Sequence, residues 1–289
     1  MKTIGDITAQ FREELSALYD VPEINSLCRI ALADVADLSP AKIKAFPETE
    51  INSTYADQIK SILIRLKTGE PIQYILGHTG FYGLPFKVNP SVLIPRPETE
   101  ELVDWAVKSW PFAVGNWQHP FRILDIGTGS GCIPISLKKS LPDANVSSID
   151  ISPEALKTAK ENADLNNVDV NFIQDDILNM KSEIENSKFN IIISNPPYVT
   201  LDDKKQMHTN VTDFEPHTAL FVPQEDPLIF YKAIAGFAST HLEKGGLLFF
   251  EINEGCGKQI VELLNTKQFT NIELRKDMSG KDRMIKAVK

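Results

Sequence analysis

From Arg96 onward, segments of strand character alternate with segments of helical character, and no other feature of the chain restricts its fold as much. EELVDWAVKSW (100–110) has the pattern of an amphipathic helix and FRILDI (121–126) that of a buried strand. CIPISLKKS (132–140) returns to helix, VSSIDI (146–151) to strand, PEALKTAKENADLN (153–166) to helix and VNFIQDD (170–176) to strand. FNIIISN (189–195) is a strand, DPLIFYKAIAGFASTHL (226–242) a helix and GGLLFFEI (245–252) a strand. Strands joined through helices line up in parallel with helices on both faces. The alternation therefore predicts an α/β fold with a mostly parallel, doubly wound sheet, whose ligands lie at the carboxyl ends of its strands.

The first 76 residues follow another period. Ile4, Ile7, Phe11, Leu15 and Leu18 recur at steps of three and four and predict one face of a helix ending near Tyr19. A second run passes through Leu27, Ile30 and Leu32 after Pro22, and Ser39 followed by Pro40 has the form of an N-cap and a first-turn proline. A further helix is expected from about Tyr55 to Lys67, with Ile59, Ile62, Leu63 and Leu66 inward and Gly69 just past its end. The result is a small helical bundle that carries no chemical motif. GHTGFYGLPFKVNPSVLIP (77–95) has strand composition interrupted by glycine and proline, which predicts a hairpin linker. The expected domains are a helical bundle at 1–76, the linker at 77–95 and an α/β domain at 96–289.

Charge limits what such a chain can do. The formal net charge is -9, and the sequence pI is near 5.2. Both parts are acidic, with 8 basic against 11 acidic residues up to position 76 and 22 against 28 after it. Nucleic-acid binding rests on Lys and Arg neutralising phosphates, so no stable nucleic-acid partner is expected. Cys28, Cys132 and Cys256 are widely spaced without a CxxC pair or a histidine cluster, which predicts reduced thiols and no metal site. No run approaches the ~20 apolar residues of a membrane span, and MKTIGDITAQFREEL lacks an apolar leader core. A cytoplasmic protein without a membrane partner is expected.

Gly127, Thr128, Gly129, Ser130 and Gly131 follow the FRILDI strand and open a helix directly. Glycines let the backbone turn tightly and approach a ligand, and the N–H groups at a helix start favour electron-rich atoms. Asp150 closes the next strand, where its carboxylate can accept both hydroxyls of a ribose. The spacing is GxGxG, because Cys132 stands where the dinucleotide fingerprint would need its last glycine, and a P-loop Lys is missing too. Loop and acidic strand end together predict an adenosine-type ligand. Asp176, at the end of the third strand, can face the adenine edge, and Ile177 either lies on the purine face or packs in the core. Asp125 either contacts the cofactor or orients the loop.

FNIIISN delivers Asn195 to the same sheet edge, and Pro196, Pro197 and Tyr198 follow. Two prolines end strand pairing and fix φ near −65°, so the carbonyls of residues 195 and 196 can be aimed outward. The Asn195 carboxamide oxygen and one of these backbone oxygens form two acceptors at a set spacing, which matches an NH2 group. Tyr198 adds an aromatic face for a planar substrate. Asn195, Pro196, Pro197 and Tyr198 are therefore the candidate catalytic and substrate-binding residues. An amide nitrogen is a poor nucleophile, and two acceptors can orient it toward an activated methyl group such as that of a sulfonium cofactor.

DIGTGSGCI, the acidic strand end in SSIDIS and ISNPPYV resemble the class I S-adenosylmethionine-dependent methyltransferases, whose domain is Rossmann-like. FYGLPFKVNPSVLIPRPETEELV narrows the likeness to the HemK (PrmC) family, the release factor glutamine methyltransferases, and the resemblance covers nearly the whole chain. It implies a helical N-terminal domain for substrate recognition, a hairpin linker and a seven-stranded catalytic sheet. It also implies methyl transfer from S-adenosyl-L-methionine, leaving S-adenosyl-L-homocysteine, to the glutamine side-chain amide in the Gly-Gly-Gln loop of class 1 peptide chain release factors, in translation termination. Under it, residues 127–131, Asp150, Asp176, Ile177 and Asn195 hold the cofactor, and residues 195–198 hold the glutamine. Ile177 stands where relatives can carry an aromatic residue, so weaker adenine stacking is expected. Arg96, Glu98 and Glu100 would shape the entrance, or the two acids simply favour a helix N-terminus. His208, Glu215 and His217 are expected to be solvated loop residues, with 201–223 bordering the substrate opening. The alternatives that stay open are a ribosomal-protein glutamine and an adenine N6 group of DNA or RNA, which would fit the same acceptors.

Overall fold

The computed structural model describes residues 2–113, 121–181, 184, 187–205, 207 and 209–289. Two compact units emerge: Met1–Gly77 with His208–Phe214, and His78–Met207 with Glu215–Lys289.

In the first unit β1 (Lys2–Thr3) pairs antiparallel with β2 (Glu50–Ile51), around α1 (Ile4–Leu15), α2 (Val21–Ala36), α3 (Pro40–Ala45), α4 (Ser53–Leu66) and α5 (Ile72–Leu76). Thr3, Asp20, Ser39 and Asn52 cap α1 to α4 by accepting the backbone N–H three residues on, and each cap contributes ~1 kcal/mol. Ile4, Ile7, Phe11 and Leu15 close a core with Ile24, Leu32, Ile59 and Leu63. Leu18 and Ile30 depart from the expected inward face, at 44% and 36% exposure. α1 stops at Leu15, so Leu18 lies in a turn where helical period no longer governs direction.

The second unit begins with the hairpin of β3 (His78–Phe81) and β4 (Leu84–Lys87). Its two-residue turn, Tyr82 at φ 50° and Gly83 at φ 73°, matches the twist of paired strands. Then follow α6 (Pro97–Ala113), β5 (Arg122–Ile126), α7 (Cys132–Ser140), β6 (Asn145–Asp150), α8 (Pro153–Asn166), β7 (Asn171–Gln174) and β8 (Phe189–Ser194). The short helices α9 (Leu201–Lys204), α10 (Thr209–Phe214) and α11 (His217–Leu220) come next, α10 belonging to the first unit. α12 (Ile229–His241), β9 (Leu242–Glu251), α13 (Gly257–Thr266), β10 (Thr270–Lys276) and β11 (Asp282–Val288) complete the chain.

The seven strands lie in the order β10-β11-β9-β8-β5-β6-β7. β9, β8, β5, β6 and β7 are parallel, and β11 runs antiparallel to both neighbours. The α/β doubly wound architecture expected from the alternation is therefore present. β8 is buried at every position, with Ile191 and Ile193 packed among Ile123, Leu102, Trp105 and Phe249 on one face. Ile192 joins Leu124, Tyr231, Ile234 and Phe250 on the other. Each such side chain removed from water contributes about 1.5–3 kcal/mol. The strand order turns back at β5, where Ile126 pairs with Ile149 of β6 on one side and with Ser194 of β8 on the other. A reversal of this kind opens a crevice at the carboxyl ends.

Candidate active site

A cleft of ≈ 370 Å³ opens at that crevice, bordered by residues 126–130, Asp150, Asp176, Ile177 and Asn195 to Pro197. Gly127, Gly129 and Gly131 hold φ of 88°, 52° and 83°, which side-chain-bearing residues adopt only with strain. Gly131 precedes α7 and leaves its start without a side-chain cap, so first-turn N–H groups remain for a ligand. Gly131 itself is not among the cleft-bordering residues, and a Cβ there would meet Ile135 Cδ1 at 2.8 Å.

Asp150 Oδ2 accepts the Gly129 N–H at 2.8 Å and Oδ1 the Ser152 N–H at 2.9 Å. One lone pair on each oxygen remains, enough for a pair of hydroxyls. Burial pushes its pKa up, against backbone hydrogen bonds that lower it. Asp125 is fully buried and absent from the cleft wall. Its Oδ2 accepts from Ser148 Oγ at 2.5 Å, and Ser148 lies 2.6 Å from Thr128 Oγ1. Since Ser148 spends its proton on Asp125, Thr128 donates to Ser148, and Asp125 orients the loop rather than touching a ligand. Burial raises the Asp125 carboxyl to about 7.

At the end of β7, Asp176 and Ile177 border the cleft together with Asp175. Asp176 Oδ1 accepts the Leu178 N–H at 2.9 Å. Ile177 both lines the cleft and packs against the core beneath it, so the two readings of this residue coexist. Left-handed glycines, spare lone pairs on Asp150 and the apolar walls of Ile126, Ile151 and Ile177 fit an adenosine-type cofactor.

Asn195 is half-buried at the tip of β8. Its Nδ2 donates to Thr99 Oγ1 at 3.2 Å, and Thr99 Oγ1 donates to Glu251 Oε2 at 2.6 Å. Among the described residues no donor engages Asn195 Oδ1 or the carbonyls of Asn195 and Pro196. The acceptor set read from the sequence is thus open beside the glycine loop, and a Cβ on Gly127 would come within 3.8 Å of Asn195 O. Pro196 and Pro197 border the cleft but Tyr198 does not. The Tyr198 ring packs on the core and its hydroxyl donates to Glu251 Oε1 at 3.2 Å. Burial pushes Glu251 up, with Thr99 and Arg283 pulling it down.

Neither Thr99 nor Glu251 stood out in the sequence. Glu251 reads there as the acidic end of an apolar strand, and a charge at the edge of GGLLFFEI was the available signal. Arg96 borders the cleft, whereas Glu98 and Glu100 do not, and Glu100 accepts the Tyr82 N–H at 2.7 Å. Glu215 corrects the expectation of a solvated residue: it is 3% exposed, paired with Arg96 and accepting the Ile94 N–H. A carboxylate taken out of water needs such partners, which a sequence does not display. His217 is exposed, its ring edge-on to Phe221 at 5.1 Å. His208 lies outside the described residues. Pro216, Thr218, Ala219 and Phe221 border the cleft.

Residues 6–77 match the PrmC N-terminal domain family and residues 115–214 the methyltransferase small domain family. The release factor glutamine methyltransferase of Flavobacterium psychrophilum is 47% identical over 283 residues, 98% of each chain. That of Bacteroides thetaiotaomicron is 42% identical over 97% of this chain and 98% of its own. Among solved structures, a methyltransferase from Pyrococcus furiosus aligns with a TM-score of 0.51 at 17% identity over 82% of this chain and 98% of that one, a likeness of fold. End-to-end identity at this level, added to a glycine cleft facing an open Asn-Pro-Pro tip, places the chain in the release factor glutamine methyltransferase family.

Proposed function

We propose that this protein transfers a methyl group from S-adenosyl-L-methionine to the side-chain amide nitrogen of the glutamine in the Gly-Gly-Gln loop of class 1 peptide chain release factors, releasing S-adenosyl-L-homocysteine. The observation that carries this reading is the unengaged Asn195 Oδ1 beside an unengaged prolyl carbonyl, at the wall of the cleft that the glycine loop bounds. When bound, the cofactor supplies an electrophilic methyl on a positively charged sulfur and leaves as a neutral thioether.

The residues of the chain do the rest. Asp150 accepts hydroxyls, the 127–131 loop brings the backbone close and the first turn of α7 presents N–H groups, and Asp176 and Ile177 form the far wall. Asn195 Oδ1 and Pro196 O accept the two N–H groups of a carboxamide and aim its nitrogen into the cleft. Both acceptors also favour the positive charge that grows on that nitrogen, and the surplus proton leaves to solvent after transfer. Fixed alignment of two reactants can supply up to ~7–11 kcal/mol of barrier reduction. The helical unit is the recognition element for the protein substrate, and 77–95 is its linker to the catalytic domain at 96–289.

The test offers labelled cofactor with unmodified release factor, a large-subunit ribosomal protein and adenine-containing nucleic acid side by side. Label in the Gly-Gly-Gln glutamine is expected. Label in either competitor instead, or no transfer by a protein that binds cofactor, refutes the reading. Asn195→Ala should lower turnover by about 100-fold or more, and wild-type turnover would remove Asn195 from its role.

A further inference from the structure

Asn195 can serve as an acceptor only if its carboxamide faces one way round, and the side chain that enforces this lies outside the Asn-Pro-Pro-Tyr segment. We propose that Glu251, acting through Thr99, is the positioning residue that fixes the orientation of the Asn195 carboxamide, while its second oxygen holds the Tyr198 hydroxyl. The inference rests on the glutamine-methylation reading and deepens it.

Proton counting carries the argument. Both Glu251 oxygens accept, because two hydroxyls converge on them from different elements: Thr99 on α6 at 2.6 Å and Tyr198 after β8 at 3.2 Å. Thr99 has a single hydroxyl proton, spent on Glu251, so toward Asn195 its oxygen can only accept. Asn195 must then present Nδ2 to Thr99, the 3.2 Å contact observed, and Oδ1 is left facing the other way. Thr99 and Glu251 are 2% exposed, so water does not compete for these bonds. If the acceptor at Glu251 is removed, the Thr99 proton becomes free to bind Asn195 Oδ1, which flips the amide and blocks the substrate acceptor.

Thr99→Val keeps shape without the hydroxyl, Thr99→Ser restores the hydroxyl, and Glu251→Met keeps bulk without the acceptor. Thr99→Val and Glu251→Met should each lower kcat by about 10- to 100-fold, with cofactor Kd by calorimetry unchanged. The double variant should be no worse than the poorer single, because both break one chain of bonds. Thr99→Ser should recover most of the turnover. Wild-type kcat in Thr99→Val, a serine variant as poor as the valine one, or additive losses overturns the proposal. Should Glu251→Met fail to fold, the two Thr99 variants decide alone. A readout that needs no methyl acceptor separates this inference from the reading beneath it: the Asn195 carboxamide proton resonances, identified by their loss in Asn195→Ala. One of the two protons should show slowed solvent exchange that disappears in Thr99→Val, and identical exchange in both proteins overturns the proposal even if glutamine is methylated. If the wild-type protein methylates no glutamine, the functional reading fails and these resonances still settle the positioning.

Discussion

Burying Asp125 imposes an electrostatic cost on folding. Burial raises its carboxyl from 3.8 to about 7, with Ser148 lowering it and Asp150 adding to the rise. A raised folded pKa favours the native state fully below the unfolded value and loses that contribution as pH rises through the folded value. Between pH ~4 and ~7 the native state should therefore lose roughly 4 kcal/mol relative to its acid limit through this group. Asp150, Glu215 and Glu251 are raised too and act in the same direction. Asp125→Asn should flatten, without abolishing, the fall in urea-unfolding free energy across that range; an unchanged slope would mean Asp125 titrates near its ordinary value. Asp150 is also the proposed ligand acceptor. With two backbone bonds and two spare lone pairs, Asp150→Ala should weaken cofactor binding by about 10-fold or more, at ~1–3 kcal/mol for a lost charge-assisted bond. Equal cofactor dissociation constants would remove it from the site.

Within the glycine loop the three left-handed positions are unequal. A Cβ on Gly129 meets nothing within 4 Å, so Gly129→Ala should cost only the ~1–2 kcal/mol of conformational strain. A Cβ on Gly131 would press on Ile135 Cδ1 at 2.8 Å and on Ala159 Cβ at 3.1 Å, adding ~1–3 kcal/mol of overpacking. Thermal unfolding should rank Gly131→Ala clearly below Gly129→Ala, and the reverse order would mean the α7–α8 packing yields. Elements of this kind were legible because their chemistry is local. Glycines before a helix, Asp150 at a strand end and the Ile191–Ile193 run each signal themselves within a few residues. α8 was readable to its ends because Ser152 caps it and Asn167 closes it in the left-handed conformation. The C-terminal pair β10 and β11 was not, since β10 is exposed at nearly every position and shows no buried pattern. The Thr99–Glu251 and Arg96–Glu215 pairings were not legible for a different reason. Their meaning is a contact across 152 or 119 residues of chain, and periodicity carries no information at that range.

At the scale of the whole molecule, the first unit completes its own core, with Ile4, Phe11, Leu32, Ile59 and Leu63 all from residues before Gly77. Removing residues 1–76 therefore leaves both faces of the seven-stranded sheet with their packing partners, which are drawn from residues 81–288. The truncated chain should keep cofactor affinity. Transfer to an intact release factor should fall at least 10-fold in kcat/KM, roughly 1.4 kcal/mol of lost recognition, if the helical unit engages the protein substrate as proposed. The cut has one further consequence. α10 is grouped with the first unit, and a Cβ on Gly69 would lie 3.7 Å from the Phe214 ring. Truncation strips α10 of that packing while Val199 stays bonded to Leu220 and Val222 just beyond it. Hydrogen exchange should accordingly quicken across 209–214 and stay slow in β8, since α10 belongs to the first unit while β8 packs within the sheet core. A truncated enzyme that methylates the factor at the full-length rate would assign recognition to the catalytic domain alone. Exchange that rises equally in β8 would show that the sheet needs the helical unit in order to fold.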